Sequence, residues 1–208
     1  MEKVPVIVAL DNMSRERAIE IAREMSGRVW GFKVHDLIDV YGPEIIGVLK
    51  AYGKIFVDMK ISDIQKTTRN RICAYVAHGA DLISVHAERG SDVLKEAVSA
   101  GGSRIVAITT LTSESDASRV VELARTAYTA GVKNIVCSAH EAQAVRKVAP
   151  EAIIITPGIR APGAPHHDQT RTMNARDALK AGANLLAIGR PITEAPDPRR
   201  ALGKMFTV

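Results

Sequence analysis

The chain has 208 residues, 46% hydrophobic and 25% charged, a balance that fits one soluble globular domain and excludes a disordered or membrane-embedded chain. Lys and Arg number 28 against 23 Asp and Glu, a formal net charge of +5, with aromatic residues at only 4%. That balance favours a small anionic ligand over a polynucleotide, for which stacking platforms and a clustered basic arm are missing.

In chain order, Val4–Leu10 is an almost unbroken apolar run, as expected of a strand buried on both faces, and it ends at Asp11. The first residues, Met1-Glu-Lys-Val-Pro5, lack the layout of a signal peptide. Ser14 reads as the N-cap of a helix to about Met25, with Ala18, Ile21, Ala22 and Met25 as its apolar stripe. Val29–Val34 is the second strand, with Lys33 near its end. A helix over about Leu37–Ala51 follows, interrupted early by Gly42-Pro43. The third strand begins at Lys54 and runs into the charged stretch Asp58-Met-Lys60-Ile-Ser-Asp63, and a helix covers about Ile64 to His78. Strands are then expected at Asp81–His86, Arg104–Thr110, Asn134–Cys137, Ala152–Thr156 and Leu185–Ile188. Their helices lie near Asp92–Ala100, Ala117–Ala130, Glu141–Val148, Ala175–Ala181 and from Pro198 towards Phe206.

Eight strand-then-helix units without a linker imply parallel strands and right-handed crossovers. The expected fold is α/β, a single-domain (β/α)8 TIM barrel over residues 1–208. A doubly wound sheet would carry a glycine fingerprint after the first strand, where this chain has Asp11-Asn-Met-Ser14. The two cysteines, Cys73 and Cys137, have no metal-type spacing, and a reduced cytoplasmic location is expected, with no membrane and no nucleic-acid partner.

Polar residues fall at the carboxyl ends of the first four strands: Asp11, Lys33, the pair Asp58 and Lys60, and His86. Asp58 and Lys60 are two apart on a strand and are expected on one face, with Ile55, Val57 and Met59 on the other. One charged strand end is a surface salt bridge of little consequence. Four of them converge on the mouth of a barrel, where barrel enzymes keep their chemistry. His86 reads as a structural hydrogen-bonding residue.

The loops after strands seven and eight are the usual phosphate site of this fold. Here they carry Thr156-Pro-Gly-Ile-Arg160 and Ile188-Gly-Arg190-Pro191. Gly189 lets a backbone N–H approach an anion, and Arg190 adds a planar two-pronged donor. The loop from Arg160 to about Arg171 is long and punctuated by Pro162, Gly163 and Pro165, the layout of a lid. His166 and His167 are adjacent and suit no metal site.

At Asp58-x-Lys60-x-x-Asp63-Ile64, with Lys33 and Asp11, the sequence resembles the orotidine 5′-monophosphate decarboxylase family. The likeness extends to Ala9-Leu-Asp11, Leu111-Thr112-Ser113, Thr156-Pro-Gly-Ile-Arg160, Asp168-Gln169 and Ile188-Gly-Arg190-Pro191. The charged motif is shared with a wider barrel superfamily. The magnesium-dependent sugar-phosphate lyases of that superfamily carry a glutamate at the Lys33 position, so Lys33 points to the decarboxylase of orotidylate. Family members usually read Pro-Asn-Thr where this chain has Gln65-Lys66-Thr67, and usually have a glycine where it has His35.

The resemblance implies a homodimer with shared active sites, Asp58 and Lys60 coming from one subunit and Asp63 from the other. It implies catalytic roles for Lys33, Asp58, Lys60 and Asp63. Asp11 and Lys33 would bind the ribose, and Thr67 would reach a ribose hydroxyl from the partner side. Thr112 lies where bacterial-type members contact the ligand and Ser115 fits the pyrimidine-contacting serine of archaeal-type members; both alignments stand. Gln169, Gly189 and Arg190 match a phosphate grip, and Arg160 a further ligand contact. The implied reaction is decarboxylation of orotidine 5′-monophosphate to UMP, the last step of de novo pyrimidine nucleotide synthesis, with no metal or cofactor. Lys60 would stabilise and then protonate the C6 carbanion. A magnesium-dependent sugar-phosphate decarboxylase or aldolase, and a non-catalytic nucleotide-binding barrel, are the alternative readings.

Overall fold

A computed structural model of the chain describes residues 3–110, 116–161 and 171–206. Eight parallel strands close into a barrel in sequence order, the eighth pairing with the first. The order is β1 (Val4–Ala9), α1 (Arg15–Met25), β2 (Val29–Val34), α2 (Asp36–Tyr41), α3 (Glu44–Lys50), β3 (Lys54–Ile61) and α4 (Gln65–Ala77). It continues with β4 (Leu82–His86), α5 (Ser91–Gly101), β5 (Ile105–Ile108), α6 (Ala117–Thr129), β6 (Asn134–Val136) and α7 (Ala142–Val148). It closes with β7 (Ile153–Thr156), α8 (Ala175–Lys180), β8 (Leu185–Ile188), α9 (Arg190–Thr193) and α10 (Pro198–Lys204).

The strands are apolar on both faces because each face has a partner. Ile7, Phe56, Val106, Ile108, Val136 and Ile155 fill the barrel interior, while alternate residues such as Val6, Val8, Ile55 and Val57 pack outward against helix stripes including Ala18, Ile21, Ala22 and Met25. Each fully buried Ile or Val contributes about 1.5–3 kcal/mol of transfer free energy. Helix starts follow the side chains that cap them: Ser14 accepts from Arg17 N at 3.2 Å, and Asp116, Asn174 and Asp197 cap α6, α8 and α10 in the same way. Such caps are worth about 1 kcal/mol each.

Three local features depart from the expectation. The helix expected over Leu37–Ala51 is two helices, because Gly42 takes φ 74° and closes α2 with its N–H on Ile38 O, after which Pro43 has no N–H to continue the ladder. Gly189 is followed by a short helix, α9, that periodicity did not reveal. The third departure is in β3, whose pairing with β4 steps from Val57↔Ile83 to Ile61↔Val85. Four residues on one strand thus oppose two on the other, a bulge centred on the charged motif. Within it Lys60 adopts φ 45°, a left-handed conformation uncommon for a residue with a Cβ.

Close approach of β2 and β3 also explains one glycine. A Cβ on Gly31 would collide with Lys54 O, so only glycine permits that strand spacing. Among the described residues no helix is long and apolar enough to cross a membrane.

Candidate active site

The strand ends that carry charge converge as the barrel requires. Lys33 Nζ, from the end of β2, lies 2.9 and 2.7 Å from the two carboxylate oxygens of Asp11, just past β1. It also lies 3.5 Å from Asp58 Oδ2 on β3. Lys60 Nζ donates to the same Asp58 Oδ2 at 3.0 Å. The result is a row of alternating sign: Asp11, Lys33, Asp58, Lys60.

Burial alone would strip charge from Lys33, but the carboxylates of Asp58 and Asp11 outweigh it and hold its pKa above the ordinary value. Asp58 is 7% exposed, and its Oδ1 is buried with no hydrogen-bond partner. An orphaned buried acceptor costs about 1–3 kcal/mol, a penalty that folds retain chiefly where a function needs it.

The row borders a cleft in two continuous parts that share Lys33, Pro157 and Ala187. The outer part, about 300 Å³, is polar, with Asp11, Asn12, Gly189, Arg160 and Arg190 in its wall. The inner part, about 150 Å³, has apolar walls of Phe56, Ile108, Val136 and Ile155, with Thr110, Asp58 and Lys60 beside them. The two guanidinium groups at the polar end suit an anion, and the apolar walls at the other end would strengthen the electric field of Lys60 and Asp58.

Arg160 is held from behind. Its backbone N–H donates to Met173 O at 3.0 Å, and Met173 N donates to Gly158 O at 3.2 Å. Two residues before Met173, Arg171 pairs with the buried carboxylate of Glu141, between β6 and α7. Gly189 ends β8 and opens α9 at the rim; a Cβ there would meet only ordinary contacts with Ala9, so the chain itself does not crowd that backbone.

Of the residues expected at the site, Asp11, Lys33, Asp58, Lys60, Arg160, Gly189 and Arg190 line the cleft together. Asp63 and Thr67 line neither part in this single chain; Asp63 Oδ1 instead accepts from Ile64 N at 2.8 Å. Thr112, Ser115 and Gln169 lie outside the described residues, as do His166, His167 and Asp168. His86 ends β4 and lines neither part of the cleft.

Sequence reasoning gave no role to Asn12, Thr110 or Thr193, which also line the cleft. Asn12 left a trace in its position directly after Asp11, and its φ of 57° fits the tolerance of Asn for that region. Nothing in the local pattern distinguishes Thr110 or Thr193 from packing residues.

The family model described as orotidine 5′-phosphate decarboxylase / HUMPS family matches residues 4–205. An orotidine 5′-phosphate decarboxylase of Synechococcus sp. (strain WH7803) is 38% identical, covering 94% of this chain and 91% of that protein. Two solved structures superimpose over nearly the whole barrel. The orotidine 5′-phosphate decarboxylase of Lactobacillus acidophilus has a TM-score of 0.79 at 31% identity, over 98% of this chain and 99% of that one. That of Pyrococcus horikoshii OT3 has a TM-score of 0.84 at 27% identity, over 96% of each chain.

Proposed function

The chain belongs to the orotidine 5′-phosphate decarboxylase / HUMPS family, and from that premise we propose that it is the carboxy-lyase converting orotidine 5′-monophosphate to UMP and CO2 without metal or cofactor. The observation that carries the reading is the Asp11–Lys33–Asp58–Lys60 row at the junction of a polar, arginine-lined cleft and an apolar-walled pocket. The 5′-phosphate would lie at Arg190, Arg160 and the Gly189 amide, with Gln169 completing the grip. The ribose would lie at Asp11 and Lys33, with Thr67 reaching it from a partner subunit. The pyrimidine would enter the apolar pocket, against Thr112 or Ser115.

Cleavage of the C6–carboxylate bond releases CO2 and leaves the electron pair in an sp2 orbital of C6, where no adjacent group can delocalise it. The Lys60 ammonium stabilises that pair electrostatically and then transfers a proton to C6, ending as an amine that is reprotonated from solvent. Asp58, whose Oδ1 is unpartnered, faces the departing carboxylate, and the Lys33 ammonium backs it at 3.5 Å. Asp63 of a second copy would complete the row. The phosphate grip is remote from C6, so its binding energy serves positioning.

The family model also spans magnesium-dependent members. Against that chemistry here, the Lys33 ammonium occupies the space between Asp11 and Asp58. The test is to add orotidine 5′-monophosphate in the presence of EDTA and follow the loss of its ultraviolet absorbance. Undiminished turnover is expected. Activity that requires Mg2+ would move the chain to the sugar-phosphate lyases, and UMP binding without turnover would make it a non-catalytic barrel.

A further inference from the structure

The β3 bulge gives Lys60 its position, and a bulge leaves backbone groups without ladder partners. Two of those groups are met by side chains from the flanking strands. On one side, Ser84 of β4 is fully buried and its Oγ accepts the Lys60 backbone N–H at 2.7 Å. On the other, His35 follows β2 directly, and its Nδ1 lies 2.8 Å from the Asp58 carbonyl oxygen. A carbonyl only accepts, so Nδ1 carries the proton. The same carbonyl is 3.4 Å from Lys60 Nζ, so the imidazole and the ammonium share one acceptor.

We infer that His35 and Ser84 are positioning residues that clasp the bulge from both sides and hold Lys60 in its left-handed conformation, with Nζ against Asp58. A residue with a Cβ keeps φ 45° only where its surroundings over-determine it. Here the over-determination is one donor and one acceptor, neither of which touches the cleft. Without the Ser84 hydroxyl the Lys60 N–H is buried and unpaired, and the backbone relaxes towards regular strand geometry. That relaxation changes the direction in which the Lys60 side chain leaves the strand and shifts its ammonium from the contact with Asp58 Oδ2. The inference rests on the role proposed above for Lys60.

The test uses Ser84→Ala and His35→Leu, with His35→Gln as the conservative variant, because its amide can donate to the same carbonyl. For the first two, kcat is expected to fall on the order of 10²-fold, the effect of a misplacement of about 1 Å, with KM little changed. UMP affinity is expected to stay near wild type, since the anion grip is untouched, and His35→Gln is expected to regain much of the lost kcat. Should Ser84→Ala not fold, His35→Leu at a partly exposed position gives the same reading. Simultaneous loss of kcat and UMP binding would indicate a merely structural role and overturn the inference. So would crystal structures of the variants in which Lys60 keeps its φ and its contact with Asp58. This structural reading needs no activity: a wild-type protein without turnover would overturn the proposed reaction, while a displaced Lys60 in the variants would still establish the clasp.

Discussion

Lys60 and Lys33 are both ammonium groups beside Asp58, yet their surroundings divide them. Lys33 is enclosed, with only 11% of its side chain exposed, whereas Lys60 keeps 32% and borders the pocket. The enclosed lysine suits holding charge in place, and the open one suits transferring a proton. Lys60→Ala is expected to lower turnover by on the order of 10³-fold or more with UMP binding retained, measured by absorbance and by equilibrium titration. Arg190→Ala, remote from C6, is expected instead to raise KM about 10- to 100-fold, as for loss of charge-assisted hydrogen bonds. The raised pKa of Lys33 makes a separate prediction. Because the folded protein holds this proton more tightly than the unfolded chain, its stabilising contribution is complete below pH 10.5. It is lost as pH rises from there through the folded-state value. Denaturant midpoints for wild type and Lys33→Met should therefore converge with rising pH above that point and stay well separated at pH values below it. The spacing of Asp58 and Lys60 was enough to put them on one face. It could not show that their contact runs through a bulge, because register is set by β4 and not by the third strand's own residues.

At the scale of elements, β3 and the strap behind Arg160 do the positioning. The substitution of Gln65 for the family's usual proline leaves α4 starting at Gln65, with Ile64 extended at φ −68° and ψ 161° and Thr68 N bonded to Ile64 O at 2.9 Å. The proline restriction was therefore dispensable, because helix hydrogen bonding sets the same start. The strap depends on the Glu141–Arg171 pair, which joins the β6–α7 connection to the backbone carrying Met173 and, through it, Arg160. Glu141→Gln is expected to lower unfolding free energy by about 1–3 kcal/mol in urea titrations, the penalty for weakening a buried charged hydrogen bond. It is also expected to raise KM more than it lowers kcat, since Arg160 and not Lys60 sits at the end of that chain of contacts. Neither partner stood out in the sequence: they are 30 residues apart, on elements whose adjacency only barrel closure creates.

For the whole molecule, the informative residue is Asp63. It is partly exposed, absent from its own cleft, and followed by Ile64, an apolar residue 63% exposed. An exposed apolar side chain beside a carboxylate that does not reach its own site supports the proposal that a second copy covers this edge and receives Asp63. If so, a hybrid dimer of Lys60→Ala and Asp63→Ala subunits contains one site with both native residues. An equal mixture after subunit exchange should recover about one quarter of wild-type activity. No recovery despite demonstrated exchange would argue against the shared site.

The sequence by itself determined the barrel, because eight βα repeats with doubly apolar strands leave few other ways to bury both faces. It also determined which strand ends carry charge, because Asp11, Lys33, Asp58 and Lys60 stand at the carboxyl ends of largely apolar runs. Tertiary structure alone decided how those charges meet. The Lys33 contact with both Asp11 and Asp58, the left-handed Lys60 and the support from His35, Ser84 and Glu141 all join residues from different strands or loops. Such contacts depend on strand register and barrel closure, which are long-range properties that no local pattern encodes.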